Sequence, residues 1–308
     1  MKVALFGGTG FVGSYLVREL LQHQHQPVLL VRPGSESKVE QREHCVLVPG
    51  DIKDLAAIRQ TLTGCDAAIY SIGILREFKS RGITFDELQY QGAARTIDAA
   101  VELGVQRFIL MSANGVKAEG TPYQTSKYQA EQHLQNTQLD WTIFRPSVIF
   151  GDPRGKMEFC TQLQAQLIKP PIPAPLFYPG LLPFNAGGFE LAPVHIEDVA
   201  TVFVKSPSLP ETIHQTYGLC GPDVLSWKAI IERLGQASGK RKWTVPAPAL
   251  AIKPLAALLE GFEFFPITQG QITMLMEGNT CAIPTPFSVF GVTPTPFDEA
   301  ALAYLKRS

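Results

Sequence analysis

The sequence predicts an α/β fold built on a doubly wound parallel sheet, and three observations carry this prediction. Short apolar runs alternate with helical patterns through the first half of the chain. The first apolar run, Lys2 to Phe6, ends at glycines that open an amphipathic segment. From about Gly151 the amino-acid composition changes, and Pro and Gly become frequent. Because parallel strands need crossover connections, strands that alternate with helices indicate a sheet covered on both faces.

The elements follow from these runs in chain order. The predicted strands cover Lys2–Phe6, Pro27–Val31, Val46–Val48, Ala67–Tyr70, Arg107–Met111 and Trp141–Phe144. Apolar residues at helical spacing predict helices over Phe11–Gln22, Leu55–Leu62, Phe85–Leu103 and Tyr123–Gln135. Gly104 follows the third helix, where glycine favours the left-handed cap conformation. This order is that of a Rossmann-type fold, in which ligands bind outside the carboxyl ends of the strands.

We expect a Rossmann-type domain over residues 1–150 and a smaller, irregular lobe over residues 151–308. Some strands and helices of the second part are expected to interleave with the first. Pro170 to Gly188 is predicted to be a long loop, since it is rich in Pro and Gly. Further helices are predicted to begin at His195 or Glu197, to span Ser226–Gly235, and to span Asp298–Lys306.

Charge and hydropathy exclude several classes of partner. The formal net charge is −1, from 27 basic and 28 acidic side chains, so no nucleic-acid surface is expected. Lys240-Arg241-Lys242 is either a solvated turn or a phosphate-binding patch. No stretch reaches the roughly 18 uncharged apolar residues of a membrane span, and we expect a cytoplasmic protein. The apolar segment from Ala247 to Phe265 is either a core helix or a surface that docks on a partner or a membrane.

The cysteines and histidines predict no metal site. The five cysteines are far apart, with no C-x-x-C pair, and the six histidines do not cluster with them. A zinc site or a redox dithiol is therefore not expected, and free thiols in a reducing compartment are.

The glycines after the first strand predict a dinucleotide site. Gly7, Gly10 and Gly13 follow a strand and open a helix. In such a turn one glycine makes the bend, one lets the backbone approach a pyrophosphate, and one lets the helix pack on the strand. The helix N-terminus then offers free N–H groups and a positive dipole. The candidate contacts are Gly7, Thr9, Gly10, Phe11 and Val12.

The end of the second strand discriminates between cofactors. NAD binders usually carry Asp or Glu there, to accept hydrogen bonds from the ribose 2′-hydroxyl. This chain has Arg32, and no carboxylate before Glu36. Arg32 is either a partner of a 2′-phosphate, helped by Ser35, or an ordinary surface arginine. The sequence therefore favours NADP(H) over NAD(H).

The ends of the third and fourth strands supply further candidates. Asp51, followed by Ile52, either accepts from the adenine amino group or caps the helix near Leu55. Small residues at the end of the fourth strand leave room for the ribose and phosphates, and the candidates there are Ser71, Ile72 and Gly73.

Tyr123 and Lys127 form the candidate chemical site. They lie four residues apart, so on a helix they share one face. Transfer of a hydride to or from a carbonyl also moves a proton, and a free phenol, with a pKa near 10, is a poor acid–base at neutral pH. We expect the Lys127 ammonium to lower the pKa of Tyr123 and to bind the nicotinamide ribose.

Together with Ser112, the glycine turn and the Tyr123–Lys127 pair resemble the short-chain dehydrogenase/reductase superfamily in its extended or atypical branch. One subgroup is similar over nearly the whole chain, that of the NADPH-binding accessory subunit of respiratory complex I and its bacterial relatives. The segments that carry this similarity are Ser71–Leu75, Met111–Gly115, Phe144–Gly151, Pro193–Ala200, Ile267–Ile272 and Phe290–Thr295.

The resemblance implies that Pro146, Ser147 and Val148 lie along the nicotinamide. It also reveals a departure. Active extended members carry a Ser or Thr that binds the substrate carbonyl one residue beyond Ser112, and this chain has Ala113 there. Ser112 and Asn114 are the candidate replacements.

Two functions follow. In the first, the chain is an NADP-dependent reductase, or an epimerase or dehydratase of sugar nucleotides, with Tyr123 as the acid–base. In the second, it holds NADPH without catalysis, as a structural or assembly factor or a redox sensor. The expected partner is a small-molecule substrate in the first case and a protein complex in the second, and peripheral contact with a membrane is compatible with both.

Overall fold

Thirteen strands occur in the computed structural model, which describes residues 1–180, 182–252, 267–282 and 287–306. In chain order they are β1 (Lys2–Phe6), β2 (Gln26–Val31), β3 (Val46–Pro49), β4 (Ala67–Tyr70), β5 (Arg107–Met111), β6 (Asp140–Pro146), β7 (Ile149–Phe150), β8 (Ala174–Tyr178), β9 (Glu190–Leu191), β10 (Val194–His195), β11 (Gln215–Leu219), β12 (Leu225–Ser226) and β13 (Thr244–Pro248).

Eight α-helices lie wholly within the same described ranges. They are α1 (Phe11–Gln22), α2 (Leu55–Leu62), α3 (Gly92–Leu103), α4 (Pro122–Gln135), α5 (Phe159–Leu163), α6 (Ile196–Lys205), α7 (Trp227–Ala237) and α8 (Gln269–Glu277). Wider π-turns cover Asp86–Gln91 and Gln164–Ile168. Short 3₁₀ turns cover Glu36–Lys38, Arg42–His44, Lys79–Arg81, Ser206–Ser208, Pro210–Thr212, Phe287–Phe290 and Ala303–Lys306.

Seven strands form one sheet in the order β11-β6-β5-β4-β1-β2-β3. The pairs from β6 to β3 are all parallel, and β1 lies between β2 and β4. Alternate residues of β1 face opposite sides of this sheet, so that Ala4 and Phe6 join one core cluster with residues of α2 and α3. The predicted doubly wound α/β fold is therefore confirmed.

The chain divides into two compact units. The first contains residues 1–146, 196–218 and 286–293, and the second contains residues 147–195, 219–285 and 294–308. The first unit holds the large sheet with α1–α4 and α6, and α1 packs against α6. The second unit holds three two-stranded ribbons, β10-β7, β12-β9 and β13-β8, around a core to which α7 contributes Trp227, Ile230 and Leu234.

The predicted helix over Phe85–Leu103 begins differently from the prediction. A π-turn occupies Asp86–Gln91 before α3 starts at Gly92. The Tyr70 hydroxyl donates a 2.6 Å hydrogen bond to the Leu88 carbonyl, which an α-helix would give to the N–H of Gly92. A Cβ at Gly92 would also lie 2.6 Å from that hydroxyl, so the close approach of β4 reshapes this turn.

Two expectations for the second half are wrong. The predicted loop Pro170–Gly188 contains β8, because its Pro-rich sequence pairs in parallel with β13. Only Ala303–Lys306 of the predicted helix Asp298–Lys306 is helical, as a 3₁₀ turn. Of the apolar segment Ala247–Phe265, residues 253–265 lie outside the described residues.

The expectation of free thiols is also wrong for one pair. Cys220 and Cys281 form a disulfide within the second unit, with their Cα atoms 5.9 Å apart. They are 61 residues apart in sequence, so spacing gave no sign of the bond. Cys45, Cys65 and Cys160 are free. Among the described residues, no helix is long and apolar enough to cross a membrane.

Candidate functional site

The glycine turn after β1 has a backbone that other residues would strain. Gly7 has φ of +106°, and its carbonyl accepts a 3.1 Å hydrogen bond from the N–H of Gly10. A Cβ at Gly13 would lie 2.1 Å from the Gly7 carbonyl oxygen, so only glycine lets α1 pack this closely on the turn. A Cβ at Gly10 would meet nothing nearer than 3.4 Å.

The N-terminus of α1 is open to an anion. Its N-cap residue, Gly10, is extended and has no side chain to satisfy the first N–H groups. The first turn also carries no acidic side chain, so the positive end of the helix dipole is not neutralised. Both features fit the pyrophosphate of a dinucleotide, with Thr9, Phe11 and Val12 supplying neighbouring backbone.

A tight turn follows β2 and presents Arg32. The N–H of Ser35 donates 2.9 Å to the Arg32 carbonyl, and Gly34 has φ of +82°, which together make a type II turn with Pro33 at its second position. Arg32 is exposed, and no described residue forms an ion pair with it. Glu36, the first carboxylate after β2, accepts from the N–H of Gly34 at 3.2 Å.

Asp51 follows β3 and does not cap α2. Asp54 is the N-cap, since its carboxylate accepts from the N–H groups of Ala56 and Ala57 at 2.9 and 3.3 Å. The capping interpretation of Asp51 is therefore wrong, because its carboxylate instead accepts from the N–H of Lys53 at 3.1 Å. The side chain of Ile52 is buried.

Ser71 links the end of β4 to the start of the glycine turn through two hydrogen bonds. Its hydroxyl and its N–H both donate 2.9 Å hydrogen bonds to the Phe6 carbonyl. A Cβ at Gly7 would lie 2.7 Å from this hydroxyl. Ile72 and Gly73 continue towards α4, and a Cβ at Gly73 would lie 3.6 Å from the Lys127 ammonium nitrogen. The structure thus brings these three residues together with Gly7 and Lys127.

Helix α4 starts at a capping box and carries both chemical candidates. The Thr121 side chain accepts a hydrogen bond from the backbone N–H of Gln124, and the Gln124 side chain accepts one from the backbone N–H of Thr121. Pro122 lies in the first turn of the helix. Lys127 is buried, and its ammonium group donates to the carbonyls of Met111 (2.7 Å) and Ile72 (3.4 Å). Burial lowers the pKa of Lys127 to about 8, against an opposing contribution from Glu131.

Tyr123 does not have the lowered pKa that the sequence predicts. Burial raises the pKa of its phenol to about 12, and Lys127 makes no contribution that offsets this. The physical reason is that the Lys127 ammonium group turns to the backbone carbonyls at the ends of β4 and β5. The Tyr123 ring packs edge-on against Phe85, with centroids 5.7 Å apart.

Ser112 carries an orphaned polar atom. Its side chain is buried, and its hydroxyl has no hydrogen-bond partner among the described residues. Its N–H donates 2.8 Å to the Phe144 carbonyl, so the backbone is fixed while the hydroxyl stays unpaired. Leaving such a group unsatisfied costs about 1–3 kcal/mol, which a ligand with an acceptor would recover. Ala113 beside it is also buried and offers no donor.

Sequence reasoning missed four polar residues that position α4. The Ser126 hydroxyl donates 2.9 Å to the buried amide oxygen of Gln89, whose nitrogen donates 2.8 Å to the Ile74 carbonyl. Glu131, fully buried, forms a two-point ion pair with Arg145 at 2.8 and 2.5 Å. Glu131 lies four residues after Lys127, as Lys127 lies four residues after Tyr123. The helical spacing that identified the Tyr–Lys pair could therefore also have identified Glu131.

Pro146, Ser147 and Val148 lie at the junction of the two units in sequence. Pro146 ends β6, and its carbonyl accepts from the N–H of Asn114 at 2.9 Å within the first unit. Ser147 opens the second unit, where its hydroxyl donates to the Ala192 carbonyl. Val148 packs against the core of that unit. Among the described residues, no group of three or more His, Cys, Asp or Glu side chains is placed to hold a metal ion.

Comparisons with known proteins identify the family of this chain. A family model described as NAD(P)H-binding matches residues 7–168. A 40 kDa subunit of mitochondrial NADH-ubiquinone oxidoreductase from Neurospora crassa is 24% identical over 274 residues, which are 85% of this chain and 67% of that protein. A ceramide reductase from Caulobacter vibrioides is 25% identical over 262 residues, 85% of this chain and 78% of that protein.

A solved structure shares the fold. The Thermus thermophilus UDP-glucose 4-epimerase in complex with NAD is 17% identical, with a TM-score of 0.70 over all of this chain and 98% of its own. At this identity the similarity concerns the fold alone.

Proposed function

This chain belongs to the NAD(P)H-binding family, and from that premise we propose that it binds NADP(H) and reduces a carbonyl group, with Tyr123 donating the proton. The resemblance to complex I accessory subunits is confirmed by the Neurospora crassa relative named above, and the epimerase named above shares the fold. The preference for NADP(H), the reaction and the residue roles are the proposal.

The preference for NADP(H) rests on the turn after β2. Arg32 is exposed and has no ion-pair partner in the described part of the chain, so its guanidinium is available to a 2′-phosphate. Glu36, the first carboxylate after β2, lies four residues beyond Arg32, whereas NAD binders usually carry the acidic residue at the end of the strand itself. Gly7, Gly10 and the α1 N-terminus hold the pyrophosphate, and Asp51 with Ile52 lies beside the adenine.

The observation that carries the chemistry is the buried, unpaired Ser112 hydroxyl. A donor in that state gains a hydrogen bond when a carbonyl oxygen enters, and the gain is larger as negative charge develops on that oxygen. When bound, the cofactor supplies the hydride. Ser112 polarises the carbonyl, and Tyr123 protonates the resulting alkoxide oxygen. Lys127, held by two carbonyls, keeps one N–H for the ribose hydroxyls.

The pKa of Tyr123 favours reduction over epimerisation. A phenol with a pKa of about 12 is protonated at neutral pH and is therefore a proton donor. An epimerase of the hydroxyl-oxidising type starts with removal of a proton, which requires the phenolate.

Ala113 favours a second candidate function, in which the chain holds NADPH without turning it over, because it offers no side-chain donor to a substrate carbonyl. One relative is a subunit of a respiratory complex, so the partner in that case is a protein assembly. The two functions differ in whether bound NADPH is oxidised by small carbonyl compounds.

The first test identifies the bound nucleotide by mass after denaturation of the purified protein. We expect NADP(H), and Arg32→Gln should weaken binding of NADPH at least tenfold with little effect on NADH. Arg42→Gln, another exposed arginine, serves as the matched control and should change neither. Recovery of NAD(H), or an equal loss for both nucleotides in Arg32→Gln, overturns the cofactor assignment.

The second test follows NADPH oxidation with a panel of aldehydes and ketones. Tyr123→Phe should abolish turnover while NADPH still binds, whereas Tyr128→Phe on the same helix should retain it. Turnover unchanged in Tyr123→Phe rejects the proton-donor role. NADPH that stays bound and is oxidised by no carbonyl of the panel rejects the reductase and supports the holding function.

A further inference from the structure

The ribbon of β8 and β13 in the second unit brings two distant segments side by side. Thr244 pairs with Ala174, and the N–H of Ala174 donates 2.8 Å to the Trp243 carbonyl. The Lys242 ammonium group donates to the carbonyls of Pro170 (2.5 Å) and Ile168 (3.4 Å). The chain before β8 therefore runs beside the basic run that precedes β13.

Large apolar side chains are exposed at the amino end of this ribbon. Trp243 is 77% exposed, Ile172 is 63% exposed and Val245 is 42% exposed. Each of these side chains lies within two residues of the hydrogen-bonded pair Ala174–Trp243 or belongs to it. Trp243 and Val245 flank Thr244, so they lie on the face of the ribbon opposite to Thr244 and its buried partner Ala174. Exposed apolar side chains of this size on one face mark a surface that another apolar phase covers.

The two segments that form this ribbon carry charge of one sign in sequence. Residues 159–189 and 234–252, fifty in all, contain no Asp or Glu, although the whole chain has 28 among 308 residues. Their basic residues are Lys169, Lys240, Arg241 and Lys242. Lys240 and Arg241 are exposed, and neither forms an ion pair with any residue that the structure describes. Exposed cations on such an acid-free stretch of chain are complementary to a dense array of anions.

We propose that this basic apolar patch, defined by Lys240, Arg241, Trp243 and Val245, docks on a bilayer surface that contains anionic lipids. A lipid surface offers both components that the patch requires, phosphates for the cations and acyl chains for the apolar side chains. Trp243 suits the boundary between them, because an indole is apolar with a polar N–H. A soluble polyanion would satisfy the cations but leave Trp243 and Val245 in water.

The docking surface does not depend on the proposed reaction, since none of its residues belongs to the cofactor or chemical site. We therefore test it with the full-length protein by sedimentation with vesicles. One set contains phosphatidylcholine alone and the other contains phosphatidylcholine and phosphatidylglycerol at 3:1. We expect binding to the anionic vesicles, at least tenfold weaker binding to the neutral ones, and a steep loss of binding as salt rises.

Two variants separate the components of the patch. Lys240→Gln with Arg241→Gln should weaken binding to anionic vesicles about 25-fold, at about fivefold for each cation. Trp243→Ser should weaken binding about tenfold and remove the blue shift of tryptophan fluorescence that accompanies docking. The matched controls are Lys38→Gln with Lys228→Gln, and Val224→Ser, an exposed apolar residue outside the patch. Both controls should bind as the unaltered protein does.

Absence of binding to anionic vesicles at low salt overturns the proposal, as does unchanged affinity in the double charge variant. Circular dichroism melting of each variant excludes loss of fold as the cause of lost binding. Affinity for heparin or polyglutamate equal to that for vesicles, and unaffected by Trp243→Ser, identifies a soluble polyanion and also overturns it.

Discussion

The Lys127 ammonium nitrogen lies 2.7 Å from the carbonyl oxygen of Met111, at the end of strand β5. A second carbonyl, that of Ile72, accepts from the same group at 3.4 Å. Neutral carbonyls solvate a buried cation only in part, so the pKa of Lys127 falls to about 8 even though Glu131 opposes the fall. The position of this lysine therefore makes the stability of the free protein depend on pH.

Between pH 8 and 10.5 the unfolded chain holds the Lys127 proton while the folded chain has released it. Because the unfolded state binds more protons there, the free energy of unfolding rises with pH. From pH 7 to 9.5 the contribution of Lys127 should grow by about 2 kcal/mol. We expect the difference in unfolding free energy between the wild type and Lys127→Met to grow by that amount, measured with urea at both values of pH.

Other groups titrate in this range, which is why the difference between two proteins is the quantity to measure. Lys117→Met serves as the control for the loss of a lysine on the surface. A difference that is constant from pH 7 to 9.5 would show that Lys127 has an ordinary pKa and is better solvated than the structure indicates.

Substitution of Gly13 should affect the stability of the protein, whereas substitution of Gly10 should affect cofactor binding. A Cβ at Gly13 would lie 2.1 Å from the Gly7 carbonyl oxygen, so Gly13→Ala should destabilise the free protein by about 1–3 kcal/mol. A Cβ at Gly10 finds space, so Gly10→Ala should leave the melting temperature unchanged and weaken NADPH binding at least tenfold. Calorimetry of folding and of binding gives both numbers. Tight NADPH binding by Gly10→Ala would mean that the cofactor does not approach this turn.

Much of the first unit could be predicted because its signals are local. The apolar run of β1, the glycine turn and the spacing of α1 fix the element bounds within a short window, and α1 begins and ends at the predicted residues. The π-turn before Gly92 could not be predicted, since its cause is the hydroxyl of Tyr70 on a strand that is distant in sequence. Strand β8 was missed for the same reason, because its partner β13 lies 70 residues away.

The candidate site shows a similar division. The spacing of Tyr123 and Lys127 indicates that they share one face of a helix. The direction of the Lys127 ammonium group, however, depends on the carbonyls of Met111 and Ile72, which are distant in sequence. The sequence therefore placed both residues correctly on one helix, and its expectation of a lowered pKa for Tyr123 is wrong. Likewise Asp51 and Asp54 are equally good caps by composition, and only the path of the chain selects Asp54.

Substitution of Ser112 should have opposite effects on the stability and on the activity of the protein. Its buried hydroxyl has no partner in the described chain, so Ser112→Ala removes an unsatisfied group and should raise the unfolding free energy of the free protein by up to about 1 kcal/mol. The same change should lower carbonyl reduction at least tenfold, because the donor to the developing oxyanion is lost. Ser126→Ala is the contrasting control, since Ser126 donates to Gln89 and its loss should destabilise the protein. A destabilised Ser112→Ala would indicate that the hydroxyl has a partner in solution.

The Cys220–Cys281 bond gives a prediction that tests the corrected cysteine assignment. In the chain-entropy description, a cross-link between residues 61 apart restricts the unfolded chain by about 4 kcal/mol. Reduction with dithiothreitol should lower the unfolding free energy by about 2–5 kcal/mol, and the variant Cys220→Ser with Cys281→Ser should match the reduced wild type. Urea unfolding with and without the reductant measures the change.

The free cysteines make this measurement specific. Burial raises the pKa of Cys45 and Cys65 to about 11, so both are almost entirely thiols at neutral pH and exchange slowly with the disulfide. Cys45→Ser should therefore keep the full sensitivity to dithiothreitol. Mass spectrometry must show a gain of two hydrogens on reduction, because one bond takes up two electrons and two protons. If unreduced protein already carries five alkylatable thiols after unfolding, the two sulfurs are not joined, and the expectation of free thiols drawn from their spacing was right.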